Sequence, residues 1–154
     1  MKGDLTGGCL CGAVRYVLRE GFRLNPCACH CTDCQTRTGS AFSEHMLFAK
    51  PDIAITGELD EALYDQPSGA HSRIFGCARC KARIYAVNDS REGLASLRCG
   101  TLDDSAALVP VAHLWVRSKQ QWIGLPADAR TMDKQPANNA EWVAFVGVAC
   151  PAKA

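Results

Sequence analysis

The distribution of cysteine along the chain constrains its fold more than any other feature. Ten of its 154 residues are cysteine, about 6.5%, which is below the roughly 8–10% typical of short chains held together by disulfides. Most of them fall in three short segments, which contain Cys9 and Cys11, then Cys27, Cys29, Cys31 and Cys34, and then Cys77 and Cys80, whereas Cys99 and Cys150 are single. Clustered cysteines in a chain long enough to build its own core favour metal binding.

Charge and hydropathy argue against two classes of function. Seventeen Lys and Arg oppose sixteen Asp and Glu, a formal charge of +1, which disfavours a nucleic-acid protein that depends on a basic stripe. The longest mostly apolar stretch, residues 106–116, is interrupted by Pro110 and His113 and falls short of the roughly 20 residues that span a bilayer. The first residues lack the apolar core of a secretory signal, so we expect a cytoplasmic protein with reduced thiols. We expect neither nucleic acid nor membrane as a partner.

Short segments of alternating apolar and polar residues predict a mainly β fold. In residues 14–18, Val14, Tyr16 and Leu18 share one face of a half-buried strand. Similar strands are expected at residues 45–49, 52–56, 72–75, 83–87, 94–98 and 111–116, separated by turn residues such as those at 67–69. A short turn or helix is expected at residues 32–38, and residues 141–148 are ambiguous. No repeat or linker divides the sequence, so we expect residues 1–154 to form one mainly antiparallel β domain.

Two of the cysteine pairs are spaced so that they can share one metal ion. Cys9 and Cys11 form a Cys-x-Cys pair, and Cys77 and Cys80 form a Cys-x-x-Cys pair. Each pair can direct two thiolates at one ion, and two pairs complete a tetrahedral zinc site. Such a site leaves no free position for chemistry. We therefore predict that it stabilises the fold by joining two distant hairpins.

The densest group, Cys29, Cys31 and Cys34, predicts a different kind of site. Three protein ligands leave the fourth position of zinc open, which is typical of catalytic zinc. A zinc ion can take a thiol as its fourth ligand and deprotonate it. Two alternatives stay open at this point, namely a redox switch that uses these cysteines together with Cys27, and inert buried thiols.

Five motifs, in order along the chain, resemble one known family. They are GGCLCGAVRY at residues 7–16, CHCTDCQTRTGSAF at 29–42, FGCARC at 75–80, GTLDD at 100–104 and HLWVRSKQQW at 113–122. Together they resemble the glutathione-dependent formaldehyde-activating enzymes, a family that includes centromere protein V. The resemblance extends over most of the chain.

The resemblance implies a β-tent of short antiparallel sheets around a structural zinc. It also implies the ligands of two zinc ions, with the structural zinc on Cys9, Cys11, Cys77 and Cys80 and the second on Cys29, Cys31 and Cys34. In the best-known members the second zinc is linked to the combination of glutathione with formaldehyde. The family is usually grouped with carbon–sulfur lyases.

Three positions differ from the pattern of the family. Lys81 stands where a glycine often follows the second cysteine of the Cys-x-x-Cys pair, and we expect strain there because a turn with positive φ costs more with lysine. Cys27 and Cys99 stand where other residues are common. Cys27 can therefore compete as a ligand of the second metal.

Four further residues near these motifs are candidates for a role in the site. We expect His30 to face solvent, because successive side chains in a turn diverge, and His113 to be a buried histidine of an apolar strand. Arg37 and Arg73 can pair with the carboxylates of a glutathione-like peptide, although an ordinary surface position is the commoner role for arginine.

These observations predict a zinc-dependent carbon–sulfur lyase that joins or cleaves a small thiol such as glutathione and an aldehyde such as formaldehyde. We expect two zinc ions, one structural and one catalytic, with Cys29, Cys31 and Cys34 as the catalytic residues. The alternative is a non-catalytic zinc module that binds protein or chromatin. The near-neutral charge argues against chromatin, because neutralising phosphates requires surplus lysine and arginine.

Overall fold

A computed structural model describes residues 2–66 and 69–150, which form mainly β-structure. The strands in chain order are β1 (Leu5–Gly8), β2 (Arg15–Leu18), β3 (Arg23–Leu24), β4 (Cys27–Cys29), β5 (Ser43–Ala49), β6 (Ile53–Thr56), β7 (Leu59–Asp65), β8 (His71–Cys77), β9 (Arg83–Asn88), β10 (Leu94–Arg98), β11 (Ala112–Leu114), β12 (Arg130–Met132) and β13 (Val148–Cys150). The helices are α1 (Thr32–Thr38) and α2 (Asn139–Val146). The expected turn at 67–69 lies partly outside the described residues.

The strands form a small sheet and a large sheet. The small sheet has the order β1-β2-β6 and is antiparallel. The large sheet runs β12-β11-β4-β5-β10-β9-β8-β7, and β3 branches from β5 to pair with β13. Its pairings are antiparallel except that β11 runs parallel to both β4 and β12. The prediction of a mainly antiparallel β fold is confirmed, and none of the described helices is long and apolar enough to cross a bilayer.

Alternation of apolar residues explains how the small sheet attaches to the large one. Val14, Tyr16 and Leu18 are buried, as predicted, whereas Arg15 of the same segment is exposed. The Tyr16 hydroxyl lies 2.8 Å from Thr101 Oγ1, in the segment that follows β10. The small sheet therefore packs its apolar face on the large sheet and leaves its charged face in water.

Strand β5 lies at the centre of the large sheet and contributes to two separate apolar clusters. Met46 and Phe48 belong to the cluster between the two sheets, which also includes Val14, Tyr16, Leu18, Ile84 and Leu97. Leu47 points to the opposite face, into a cluster with Leu24, Ala112, Leu114, Trp142 and Val146. Burial on both faces fixes the register of β5, since a slip of one residue would exchange these two sets.

Most of the segment that the sequence left ambiguous, residues 141–148, lies in helix α2. The Asn138 side chain accepts a hydrogen bond from the Glu141 N–H, and the Glu141 carboxylate accepts one from the Ala137 N–H. The Asn138 side chain thus caps the first turn, and Glu141 holds the residue that precedes the cap, which together favour the start of a helix here. Trp142 and Val146, four residues apart, then face the core together.

Gly57 joins β6 to β7 and lies against Ala13, in the segment that follows Cys9 and Cys11. A substitution at Gly57 therefore tests whether this close contact stabilises the fold. Its φ is +94°, and a Cβ at this position would lie 2.1 Å from the carbonyl oxygen of Ala13. We predict that Gly57→Ala lowers the free energy of unfolding by more than the 1–2 kcal/mol expected for positive φ alone. Gly93→Ala is the control, because Gly93 has φ of +75° and open space around the missing Cβ. Urea denaturation measures both, and equal losses would contradict the close packing at Ala13.

Candidate metal centres

Four cysteines from two distant turns meet between the small and the large sheet. Cys9 and Cys11 lie in the turn between β1 and β2, and Cys77 and Cys80 lie where β8 turns into β9. All four Sγ atoms lie within 4.8 Å of one another, with 3.6 Å between Cys9 and Cys11 and 3.9 Å between Cys11 and Cys77. A zinc tetrahedron with Zn–S bonds of about 2.3 Å has S–S edges of about 3.8 Å. These spacings fit zinc, and all ten cysteines are free thiols rather than disulfides.

Backbone amides in both turns point at the sulfur atoms. The Val14 N–H donates to Cys9 Sγ at 3.2 Å, and the Cys80 N–H donates to Cys77 Sγ at 3.5 Å. Burial raises the pKa of Cys9, but the Val14 amide and the neighbouring thiols outweigh it and bring the pKa to about 6. The turn therefore favours the thiolate, which is the form that binds metal. Lys81 has a φ of +60°, the strained conformation expected there.

The second cluster forms where β4 leads into α1. Cys29 is the last residue of β4, Cys31 caps the N-terminus of α1, and Cys34 lies in the first turn of the helix. The three Sγ atoms lie within 4.8 Å of one another, and the Cys34 N–H donates to Cys31 Sγ at 3.3 Å. Cys29 is buried, whereas Cys31 and Cys34 are only partly buried. The structure thus brings the members of each predicted cysteine set together, in two separate clusters.

Hydrogen bonds within the second cluster lower the pKa of one thiol and raise the pKa of another. The pKa of Cys31 lies well below its usual value, because the side chains of Cys29 and Cys34 bond to its sulfur. The same contacts raise the pKa of Cys29. The cluster thus stabilises a thiolate at the helix N-terminus, and three sulfur donors of this kind are suited to zinc.

A cavity of about 500 Å³ lies against the second cluster and is lined by all three of its cysteines. The four cysteines of the first cluster lie outside its wall. Apolar side chains from three different elements contribute to the wall, among them Ile74, Leu114 and Trp142. The volume is in the range of small-molecule binding sites.

The wall of this pocket is rich in positive charge. Asp33 is the one carboxylate among the lining residues, and the Tyr64 hydroxyl donates to it at 2.6 Å. The Arg37 guanidinium lies 3.6 Å from the centre of the Tyr64 ring, a cation–π contact. The lining arginines are Arg37, Arg91, Arg98 and Arg117. This excess of cations favours an anionic ligand.

The structure contradicts the prediction that His30 faces solvent. His30 is fully buried, and its Nε2 lies 3.0 Å from Nδ1 of His113, which is buried as predicted. The cause is the parallel pairing of β4 with β11, in which the His30 N–H donates to the Leu114 carbonyl. Burial, together with His113 and Lys119, lowers the pKa of His30 to about 4, so the ring is neutral at pH 7.

His45 of β5 is a third buried histidine and is one of the residues in the pocket wall. Burial, reinforced by the charges of Arg98 and Arg91, lowers its pKa to about 3. The pocket therefore contains a neutral imidazole beside several cations. A neutral imidazole keeps one ring nitrogen as a hydrogen-bond acceptor.

Two of the remaining candidate residues lie away from the pocket. Cys27 is buried in β4, where its Sγ bonds to the His45 carbonyl at 3.4 Å, and it is not part of the cysteine cluster. Burial raises its pKa to about 12, which opposes ligation. Arg73 pairs with Glu61 at 2.5 Å on an exposed part of β8. Of the two candidate arginines, only Arg37 lines the pocket.

The sequence did not identify several of the lining residues, among them Tyr64, Arg91, Arg98 and Trp142. Each comes from a segment distant from the cysteine motif, and strand pairing brings them together. Arg98 was the most accessible signal, since it is the last residue of the predicted strand 94–98, which pairs with β5.

The family of the chain follows from a comparison with family models. The model of the glutathione-dependent formaldehyde-activating enzymes matches residues 4–118, which include both cysteine clusters. The chain belongs to this family. No curated relative matches the chain at a significant level.

One solved structure shows the same fold. It is a Rhodobacter sphaeroides protein from a structural genomics programme, with 21% sequence identity and a TM-score of 0.50. The match covers 69% of this chain and 98% of the other. At this identity the likeness supports the fold alone.

The first cluster makes a strong prediction about stability. We predict that Cys80→Ser loses one zinc ion and unfolds or aggregates, because metal binding in such sites contributes folding free energy, about 10–16 kcal/mol in zinc-finger peptides. Cys150→Ser is the matched control, since Cys150 is buried in β13 outside both clusters. Thermal melting with metal analysis measures both variants. Equal melting temperatures would show that the four-cysteine site does not stabilise the fold.

Proposed function

We propose that this family member is a carbon–sulfur lyase whose reaction takes place at the second cluster. The substrates are a small thiol such as glutathione and an aldehyde such as formaldehyde. The observation that carries the proposal is the 500 Å³ pocket, because it is lined by Cys29, Cys31 and Cys34 and by none of the other cluster cysteines. Substrate therefore has access to one cluster only.

The two clusters differ in the number of ligands as well as in access. Four sulfurs at the first cluster complete a tetrahedron, so we assign it a structural zinc. We assign a catalytic zinc to the three cysteines of the second cluster. With three protein ligands, zinc supplies an open position at which a thiol binds and loses its proton more readily.

The proposed reaction forms one carbon–sulfur bond. The thiol sulfur attacks the carbonyl carbon, the carbon–oxygen π bond opens, and the thiol proton ends on that oxygen, which gives a hydroxymethyl thioether. The reverse reaction cleaves the same bond. No oxidant or reductant is required.

Residues of the pocket support this chemistry by their charges. The Cys29 side chain lowers the pKa of Cys34, but Cys31 and burial outweigh it and raise the pKa to about 11, a rise that the positive charge of Arg98 partly offsets. Arg91 is partly buried, and burial lowers its own pKa, while the nearby thiols of Cys27 and Cys29 raise it. These guanidinium groups stabilise anionic sulfur in the pocket.

Other parts of the wall bind and orient the thiol. Glutathione has two carboxylates, and Arg91 and Arg117 on the wall provide planar donors that match carboxylate geometry. Leu114, Trp115 and Trp142 give the wall an apolar part that restricts water around the reacting atoms.

We also propose that residues 1–154 act as a single domain in a reducing compartment such as the cytoplasm. Both clusters require reduced thiols, and these persist where glutathione and thioredoxin keep cysteine reduced.

The second cluster gives a direct test of the proposed function. We predict that Cys31→Ser keeps the fold and the first zinc but loses thiol binding and turnover, because a hydroxyl ionises poorly and ligates zinc weakly. Cys27→Ser is the control and should keep activity within about a few-fold, since Cys27 lies outside the cluster. Turnover of glutathione with formaldehyde, thiol binding and zinc content are measured for each variant.

The opposite result for Cys31→Ser and Cys27→Ser would have a different meaning. If Cys27 were essential and Cys31 dispensable, the cluster would act as a redox switch or use another set of ligands. Full activity in both variants would contradict a catalytic metal and favour the non-catalytic zinc module.

A further inference from the structure

A second cavity adjoins the pocket and contains no carboxylate in its wall. Its volume is about 330 Å³, and it is lined by Arg37, Thr38, Lys81, Arg83 and Arg98. Arg37 belongs to α1, Arg83 to β9 and Arg98 to the end of β10. Arg37 and Arg98 also line the larger pocket, so the two cavities share part of their wall.

Three arginines of this wall each have a buried nitrogen without an acceptor. Arg37 Nη2, Arg83 Nη1 and Arg98 Nε are inaccessible to water and have no hydrogen-bond partner among the described residues. Other atoms of two of these side chains are held in place, since Arg98 Nη1 donates to Ser43 Oγ and Arg37 stacks on Tyr64. A buried N–H without an acceptor is destabilising, and it is rare in folded proteins.

None of the three guanidinium groups forms an ion pair with a carboxylate of the described residues. Burial lowers the pKa of Arg83, and the positive charges of Arg98 and Arg37 lower it further, while only the Cys34 thiol acts in the opposite direction. Lys81 is different, because its ammonium group pairs with Asp60.

We propose that Arg37, Arg83 and Arg98 form a binding site for a dianionic oxyanion of the phosphate type. Guanidinium groups present planar pairs of N–H donors that match the oxygens of phosphate. A dianion offsets much of the positive charge of the three guanidinium groups that line the cavity, and its oxygens accept hydrogen bonds from their N–H groups. A single carboxylate would offset less of this charge.

This oxyanion has two possible sources. It is either a free phosphate that binds beside the substrate or a phosphate group on the thiol itself, since the two cavities share Arg37 and Arg98. The site rests on the three arginines alone. Only the connection to a thiol rests on the proposed function.

Isothermal calorimetry with inorganic phosphate tests the site in the zinc-loaded protein. We expect Arg83→Met to weaken phosphate binding at least about tenfold, which is the loss expected for a charge-assisted hydrogen bond. Arg73→Met is the control, because Arg73 is an exposed arginine of the adjacent strand that pairs with Glu61 and lies outside both cavities. It removes the same charge and should bind phosphate as the native protein does.

Thermal melting and zinc content establish that each variant is folded. If Arg83→Met fails to fold, Arg83→Lys replaces it, because lysine keeps the charge and loses the planar pair of donors. Weaker phosphate binding by the folded variant supports the site. Binding unchanged from the native protein, or no binding of phosphate to the native protein, overturns it.

A matched pair of thiols distinguishes the two sources. If the phosphate belongs to the substrate, 2-mercaptoethyl phosphate binds the native protein more tightly than 2-mercaptoethanol does, and Arg83→Met removes the difference. If the phosphate is free, both thiols bind equally and phosphate still binds in their presence. Both results support the oxyanion site. Neither measurement depends on turnover, so a failure of the lyase proposal, which turnover tests, can be distinguished from a failure of the oxyanion site.

Discussion

Placing four cysteine sulfurs within 4.8 Å of one another is the constraint on which the other features of this fold depend. The sulfurs come from two turns 66 residues apart in sequence, Cys11 and Cys77 being in contact. Unneutralised thiolates at this distance repel one another, whereas a zinc ion turns the same arrangement into a crosslink. The small sheet packs on the large sheet at this point, so the position of β8 and β9 depends on that of β1 and β2. These two strands of the large sheet supply Ser72, Ile74 and Ala86 to the pocket wall.

The second cluster uses the same type of ligand in a different setting. Its three sulfurs lie within one short segment, 29–34, where a strand ends and a helix begins, so the cluster needs no distant partner to form. What the distant segments provide is the pocket, with Tyr64 from β7, Arg98 from β10 and Trp142 from α2. In the function that we propose, ligand number and access to the pocket, rather than ligand chemistry, distinguish the structural from the catalytic site.

The features that the sequence predicted are those that short segments determine. The cysteine spacings predicted both clusters, the motif at 29–42 contained helix α1, and alternation identified the buried face of β2. Strand β7 was missed because most of its residues are exposed at the edge of the sheet, so no alternation marks it. His30 was placed wrongly because its burial depends on the parallel pairing of β4 with β11, about 83 residues away in sequence. Arg91 and Arg98 of the pocket were missed for the same reason, since surface and pocket arginines have the same sequence signature.

Stepwise removal of zinc tests most directly the claim that one cluster maintains the fold and the other performs the chemistry. Anaerobically purified protein is treated with increasing chelator, and bound zinc, circular dichroism and glutathione binding are followed together. The account predicts two zinc ions per chain, of which the first leaves with loss of glutathione binding and an unchanged spectrum. The second should leave only as the chain unfolds. Fewer than two zinc ions in folded protein, or simultaneous loss of both with the fold, would contradict the account.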